Sequence, residues 1–171
     1  HIMLESGKKS IIPNYGSLIE LIESADLKTE VPHDMLEWIW IHMAINAAVT
    51  SSAARAGKID NPKQLAIDLM SDSHALSIAV KTIRETVTVV KSRGINLRLY
   101  KNELLPYRIP AAIAGMIMKR MFTRNELTSR IMTLHNDVND IMYGCKSVYE
   151  AGKQKNLDLP LFYSNMEKIL N

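Results

Sequence analysis

Residues 37–52 read EWIWIHMAINAAVTSS, and the reading of this stretch decides the fold. It is a nearly apolar run that carries His42 and Asn46 one helical turn apart. A polar side chain buried without a partner costs roughly 1 to 3 kcal/mol. Either the rest of the core or a ligand must therefore satisfy the pair. Asp34 is a good N-cap ahead of the run and Gly57 lies just past Arg55, so the stretch belongs to a helix from about Asp34 to Arg55.

Working outward, SLIELIESA predicts a short helix, and LKTEV an extended link that stops at Pro32. Residues 1–14 lack periodicity and are expected to be tag or linker, the remnant of a missing N-terminal domain, with the ordered domain over 15–171. Downstream, Asn61 as N-cap and Pro62 at the first helical position open NPKQLAIDLM. SHALSIAVKTIRETVTVVKSRG reads as a long amphipathic helix closed by Gly94. Pro106 and Pro110 break the next segment, after which AAIAGMIMKRM is helical and a last short helix starts near Pro160. From Asn125 to about Lys155 the apolar residues Leu127, Ile131, Leu134, Val138, Ile141, Cys145 and Val148 alternate steps of four and three. That spacing predicts one long helix with a stripe facing a partner. No strand pair or repeat is evident, so the expectation is an all-α domain with two long central helices, 34–55 and 125–155.

Composition narrows the function classes. The chain has 171 residues, 47% of them hydrophobic, and a formal charge of +3, which suits a globular protein with a real core. A single cysteine, Cys145, makes no internal disulfide, and cytoplasm is the expected compartment. The apolar run from Ile109 to Met118 is too short to span a bilayer. Lys119, Arg120 and Arg124 form the densest basic group; it reads as a solvated face, with no nucleic-acid or membrane partner expected. The seven glycines are at least eight residues apart, which excludes both GxGxxG and GxxxxGK[ST]. HExxH, CxxC and GxSxG are also absent, so no metal site or nucleophile elbow is expected.

One constellation remains. Trp38, His42 and Asn46 recur at four-residue steps on one helix face, with Thr50 a turn further on, and Thr133, Asn136, Asp140 and Tyr143 form a second polar row. Two such rows could wall a cleft; equally, Asn46 could serve the core and the second row could simply be solvated.

The run WIHMAINAA, the turn SRGIN after a long helix, and NDIMYG followed by LDLP together resemble the C-terminal domain of the ketopantoate reductase family. The resemblance extends from about Tyr15 to the last helix. It implies an all-helical domain of the 6-phosphogluconate-dehydrogenase-like type, which forms the substrate wall and the dimer interface. In that family an N-terminal Rossmann domain binds NADPH, and ketopantoate is reduced to pantoate in pantothenate biosynthesis. This chain would be inactive alone, bind no NADPH itself and pair as a homodimer, with the small 2-oxo acid held in the parent's cleft between the two domains.

Carried over residue by residue, the family's proton-donating lysine falls on Trp38 and its first asparagine on His42, while its second asparagine is retained as Asn46. Its substrate-binding glutamate falls on Asp140 and its carboxylate-binding serine near Thr128. An indole cannot donate a proton as an ammonium does. His42 is therefore the candidate acid, with Asn46, Asp140, Thr128 and Trp38 as substrate-binding candidates. The competing reading is a non-enzymatic helical module for oligomerisation or partner binding, to which ten methionines would lend adaptable apolar surface.

Overall fold

The structure, a computed structural model, describes residues 2–55, 59–134 and 137–171. The described residues are mostly helical, as expected, and divide into two compact units, residues 1–40 and 41–171.

In the first unit, β1 (Ile2–Met3) pairs in parallel with β2 (Thr29–Glu30). The Ile2 N–H donates to the Lys28 carbonyl at 2.8 Å and the Leu4 N–H to the Glu30 carbonyl at 2.9 Å. This pair corrects the expectation of no strand; two-residue strands are too short to show alternation. Between them lies α1 (Tyr15–Ser24), entered through Asn14 in the left-handed region at φ 56. The Tyr15 hydroxyl donates to the Glu5 carbonyl, and the Lys9 ammonium donates to the Asp34 carboxylate at 2.7 Å. Asp34 caps α2 (Met35–Ala53), accepting from the Glu37 N–H at 3.1 Å. Lys9 first, then the Glu37 N–H, hold the Asp34 carboxyl below the usual carboxylate range. The division between the units falls within α2.

The second unit continues from Ile41 along α2 into α3 (Pro62–Ser71), α4 (Ser73–Ser92) and α5 (Lys101–Leu104), which runs into a 3₁₀ turn. There follow α6 (Ala111–Arg124), α7 (Glu126–Met132), α8 (Val138–Gln154) and α9 (Pro160–Leu170). Local chemistry sets most ends. The Asn61 side chain accepts from the Gln64 N–H with Pro62 at the first position, Asp72 accepts from the His74 N–H at 2.8 Å, and Gly94 ends α4 at φ 86. The Gly57 stop expected for α2 lies outside the described residues.

At the centre stands α4, whose Leu76, Ala79, Val80, Ile83, Val89 and Val90 are buried. It packs most extensively against α6, and also against α3, α8 and α9. Two buried hydroxyls tie it to α2: Thr86 Oγ1 donates to the Ala44 carbonyl at 2.9 Å, and Ser52 Oγ to Thr82 Oγ1 at 3.2 Å. The close approach of α6 depends on Gly115, where an added Cβ would lie 2.4 Å from the Ser73 carbonyl oxygen and 2.9 Å from the Ser77 nitrogen. Glu85 of α4 reaches α9, accepting from the backbone N–H groups of Leu161 and Phe162 at 3.2 and 2.9 Å.

One expectation is corrected here. The segment 125–155 is not one helix. It turns at Thr133 and Leu134, and Asp137 starts α8 by accepting from the Asn139 and Asp140 N–H groups at 2.7 and 3.4 Å. A short polar side chain that satisfies backbone donors favours a new helix start over continuation. The apolar period runs on across the break, but its burial does not: Leu127, Ile131 and Leu134 are 68%, 53% and 70% exposed, whereas Cys145 and Val148 are 2% and 0%.

Among the described residues, no helix is long and apolar enough to cross a membrane.

Candidate functional site

The second unit contains a pocket of about 440 Å³ walled by α2, α3, α7 and α8, within the size range of small-molecule sites. Its apolar floor includes buried Ala47, Leu69 and Cys145. Exposed Asn46 from α2, Asp140 from the first turn of α8, and exposed Tyr143 one turn further along α8 also line it, with Thr50 on the α2 wall. The result is an apolar cavity with a polar rim.

Each rim residue is placed by helical geometry. On α2, Asn46 and Thr50 are four residues apart and Met43 and Ala47 flank them, so one stripe of the helix faces the cavity. On α8, the Asp137 cap fixes where the helix begins and so where Asp140 points. Asp140 and Tyr143, three residues apart, share a face with Gly144, at which an added Cβ would meet nothing within 4 Å. Burial pushes the Cys145 thiol up to about 12, so it is a neutral wall group and not a nucleophile.

Chemically the rim offers a carboxylate acceptor at Asp140, a mixed donor and acceptor at Asn46, and hydroxyls at Thr50 and Tyr143. Among the described lining residues Asp140 is the one acidic residue, and none is Lys or Arg. The arrangement suits a small ligand with an apolar body and a polar group that donates to Asp140. It does not suit a pyrophosphate, which would need cations or a run of free backbone N–H groups.

The residues singled out in sequence separate. The structure brings Asn46 and Asp140 to one pocket, with Thr50 and Tyr143 beside them. Half-buried His42 is on α2 but outside the lining, and Trp38 belongs to the first unit. Thr128 is half-buried on α7, where its N–H donates to the Asn125 cap at 3.1 Å, and it too is outside the lining. Asn136 lies outside the described residues. Sequence reasoning did not anticipate the α3 wall of Pro62, Leu65, Ala66 and Leu69; its signal is the apolar face of LAIDL, which reads equally well as core. Among the described residues, no three of His, Cys, Asp or Glu gather as a metal ion would require.

No protein-family model, curated protein or solved structure matches this chain.

Proposed function

We propose that this chain is the substrate-binding half of an NADPH-dependent reductase of a small 2-oxo acid of the ketopantoate type, with the helical domain architecture of that family. The observation that supports the reading is that Asn46 and Asp140, which the family resemblance marks as substrate contacts, line one pocket from two different helices. Asp140 accepts a hydrogen bond from a substrate hydroxyl, Asn46 orients the group beside it, and the apolar floor excludes water from the branched carbon skeleton. The residues of the pocket thus bind and orient. His42 lies outside its lining, and neither His42 nor the Trp38 indole is given a proton-transfer step. The described walls of this pocket do not fit the phosphates of NADPH; on this reading a nucleotide-binding domain of the parent would hold NADPH, which would supply the hydride. The reading includes self-association as a homodimer, which light scattering at high protein concentration checks; a monomer there removes that part.

The test is turnover by a parent protein containing this chain behind a nucleotide-binding domain. Asn46→Ala and Asp140→Asn should each lower kcat/KM for the 2-oxo acid at least about tenfold, or roughly 1.4 kcal/mol of transition-state stabilisation, with the KM for NADPH unchanged. An equal loss of cofactor affinity, or no NADPH oxidation with any 2-oxo acid, refutes the reading and leaves the non-enzymatic helical module.

A further inference from the structure

Away from that pocket, the C-terminal half of α6 borders a second, more open cavity of about 280 Å³, lined by Ser73, Met116, Lys119, Arg120, Thr123 and Arg124. We propose that this cavity binds the phosphate group of a small phosphorylated ligand, held by Lys119, Arg120 and Arg124 with the Ser73 hydroxyl.

Three observations carry the proposal. First, α6 has no acidic residue from Ala111 to Arg124, whereas an ordinary solvated helix face mixes the two signs. Second, these cations have no ion-pair partner among the described residues, a state shared with most Lys and Arg of the chain, but here three of them line one cavity. Arg120 and Arg124 are moreover a like-charge pair four residues apart, a spacing that destabilises a helix until an anion joins it. Third, the cavity is built from two helices held in fixed register. The backbone contact at Gly115 sets α6 against the first turn of α4, which places Ser73 beside the cations.

Two neighbouring groups are already engaged elsewhere. The Thr123 hydroxyl already donates to the Lys119 carbonyl at 2.9 Å. The start of α4 is already capped by the Asp72 carboxylate, so the helix terminus is not one of the anchors. Two guanidinium groups favour the bidentate geometry of a phosphate. The cavity lies just below the usual range of whole-ligand pockets, so it seats the phosphate and leaves the rest of the ligand outside. The inference does not rest on the reductase reading.

Backbone amide NMR of this chain, titrated with inorganic phosphate and with pyrophosphate, tests it, with sodium acetate at matched ionic strength as reference. Saturable shifts confined to Ser73, Met116 and the residues from Lys119 to Arg124 are expected. The double variant Arg120→Ala with Arg124→Ala, checked for folding by circular dichroism, should weaken pyrophosphate binding at least about tenfold. The charge-conserving Arg120→Lys with Arg124→Lys should weaken it less, and Lys146→Ala, an exposed lysine of α8, should leave it unchanged. Absence of saturation by roughly 20 mM pyrophosphate, equal shifts with acetate, or undiminished binding by the double alanine variant would overturn the proposal. So would binding to duplex DNA or phosphatidylglycerol vesicles with none to pyrophosphate.

Discussion

Replacing Gly115 by alanine sets two effects of opposite sign against each other. In a helix interior, alanine is more favourable than glycine by about 1 kcal/mol. At Gly115, however, the new Cβ would meet the Ser73 carbonyl oxygen at 2.4 Å, the Ser77 nitrogen at 2.9 Å and the Ser77 Cα at 3.3 Å. All three atoms are backbone of α4, so no rotamer change relieves the contact. Restoring ordinary separation requires the two helices to part by about 1 Å, a gap that forfeits roughly a quarter to a half of each dispersion contact across the seam. That seam holds the buried group Val80, Ala111 and Ala114, and the neighbouring group with Leu76, Ala79 and Phe122. Overpacking costs typically about 1 to 3 kcal/mol; an unyielding backbone obstacle puts this case near 3. The net expectation is a loss of about 2 kcal/mol. Urea denaturation followed by circular dichroism should show a lowered midpoint with an unchanged slope. Gly144→Ala is the internal control. It is helical, has no positive φ and has nothing within 4 Å of its added Cβ, so it should stabilise by about 0.5 to 1 kcal/mol. A Gly115→Ala midpoint equal to or above that of the parent sequence, or an equal fall for Gly144→Ala, would refute the reasoning.

Two further outcomes follow from burial. Val148→Asp should unfold the second unit or nearly so, because Val148 is fully buried in α8 and an unpaired buried carboxylate costs at least about 3 kcal/mol. Val138→Asp should cost far less, since that residue is half-exposed in the first turn of α8, where a negative charge is favourable. Thermal melts of the two variants separate these expectations, and equal Tm losses count against them. The Cys145 thiol, raised by burial from 9.0 to about 12, keeps its proton in the folded state at a pH where the unfolded chain has lost it. Its contribution to stability is therefore intact below about pH 9 and is lost as pH rises toward 12, at about 1.4 kcal/mol per pH unit. Denaturation at several pH values from 8 to 11 should show a shallower decline for Cys145→Ala, and identical slopes for the two proteins would contradict the assignment.

The helix punctuation of this chain is legible without coordinates. Asp34, Asn61 with Pro62, and Gly94 act within one turn of their own positions, because the orphan N–H and carbonyl groups of a helix end are satisfied by neighbours in sequence. The break before α8 was equally local, in the Asp137 cap, but the apolar period running through 127–148 obscured it. Periodicity reports which residues could share a face, and it is indifferent to a pause of a few residues in the backbone.

The site was half legible for a related reason. Helical spacing placed Asn46 and Thr50 on one stripe, and Asp140 and Tyr143 on another. Spacing cannot say where along a face a cavity begins and ends, so it could not separate Asn46 from His42, or show α3 as a further wall.

What the sequence determined by itself is thus the all-α class, most helix starts and stops, and the polar positions available to line a cleft. Only the tertiary structure made α4 the centre, left Leu127 exposed while burying Val148, let Gly115 bring two backbones together, and used Glu85 to cap α9 from 76 residues away. Short-range hydrogen bonds are fixed by adjacent residues, but burial, close approach and capping at a distance depend on which helix faces which, a choice made by the packing of the whole unit.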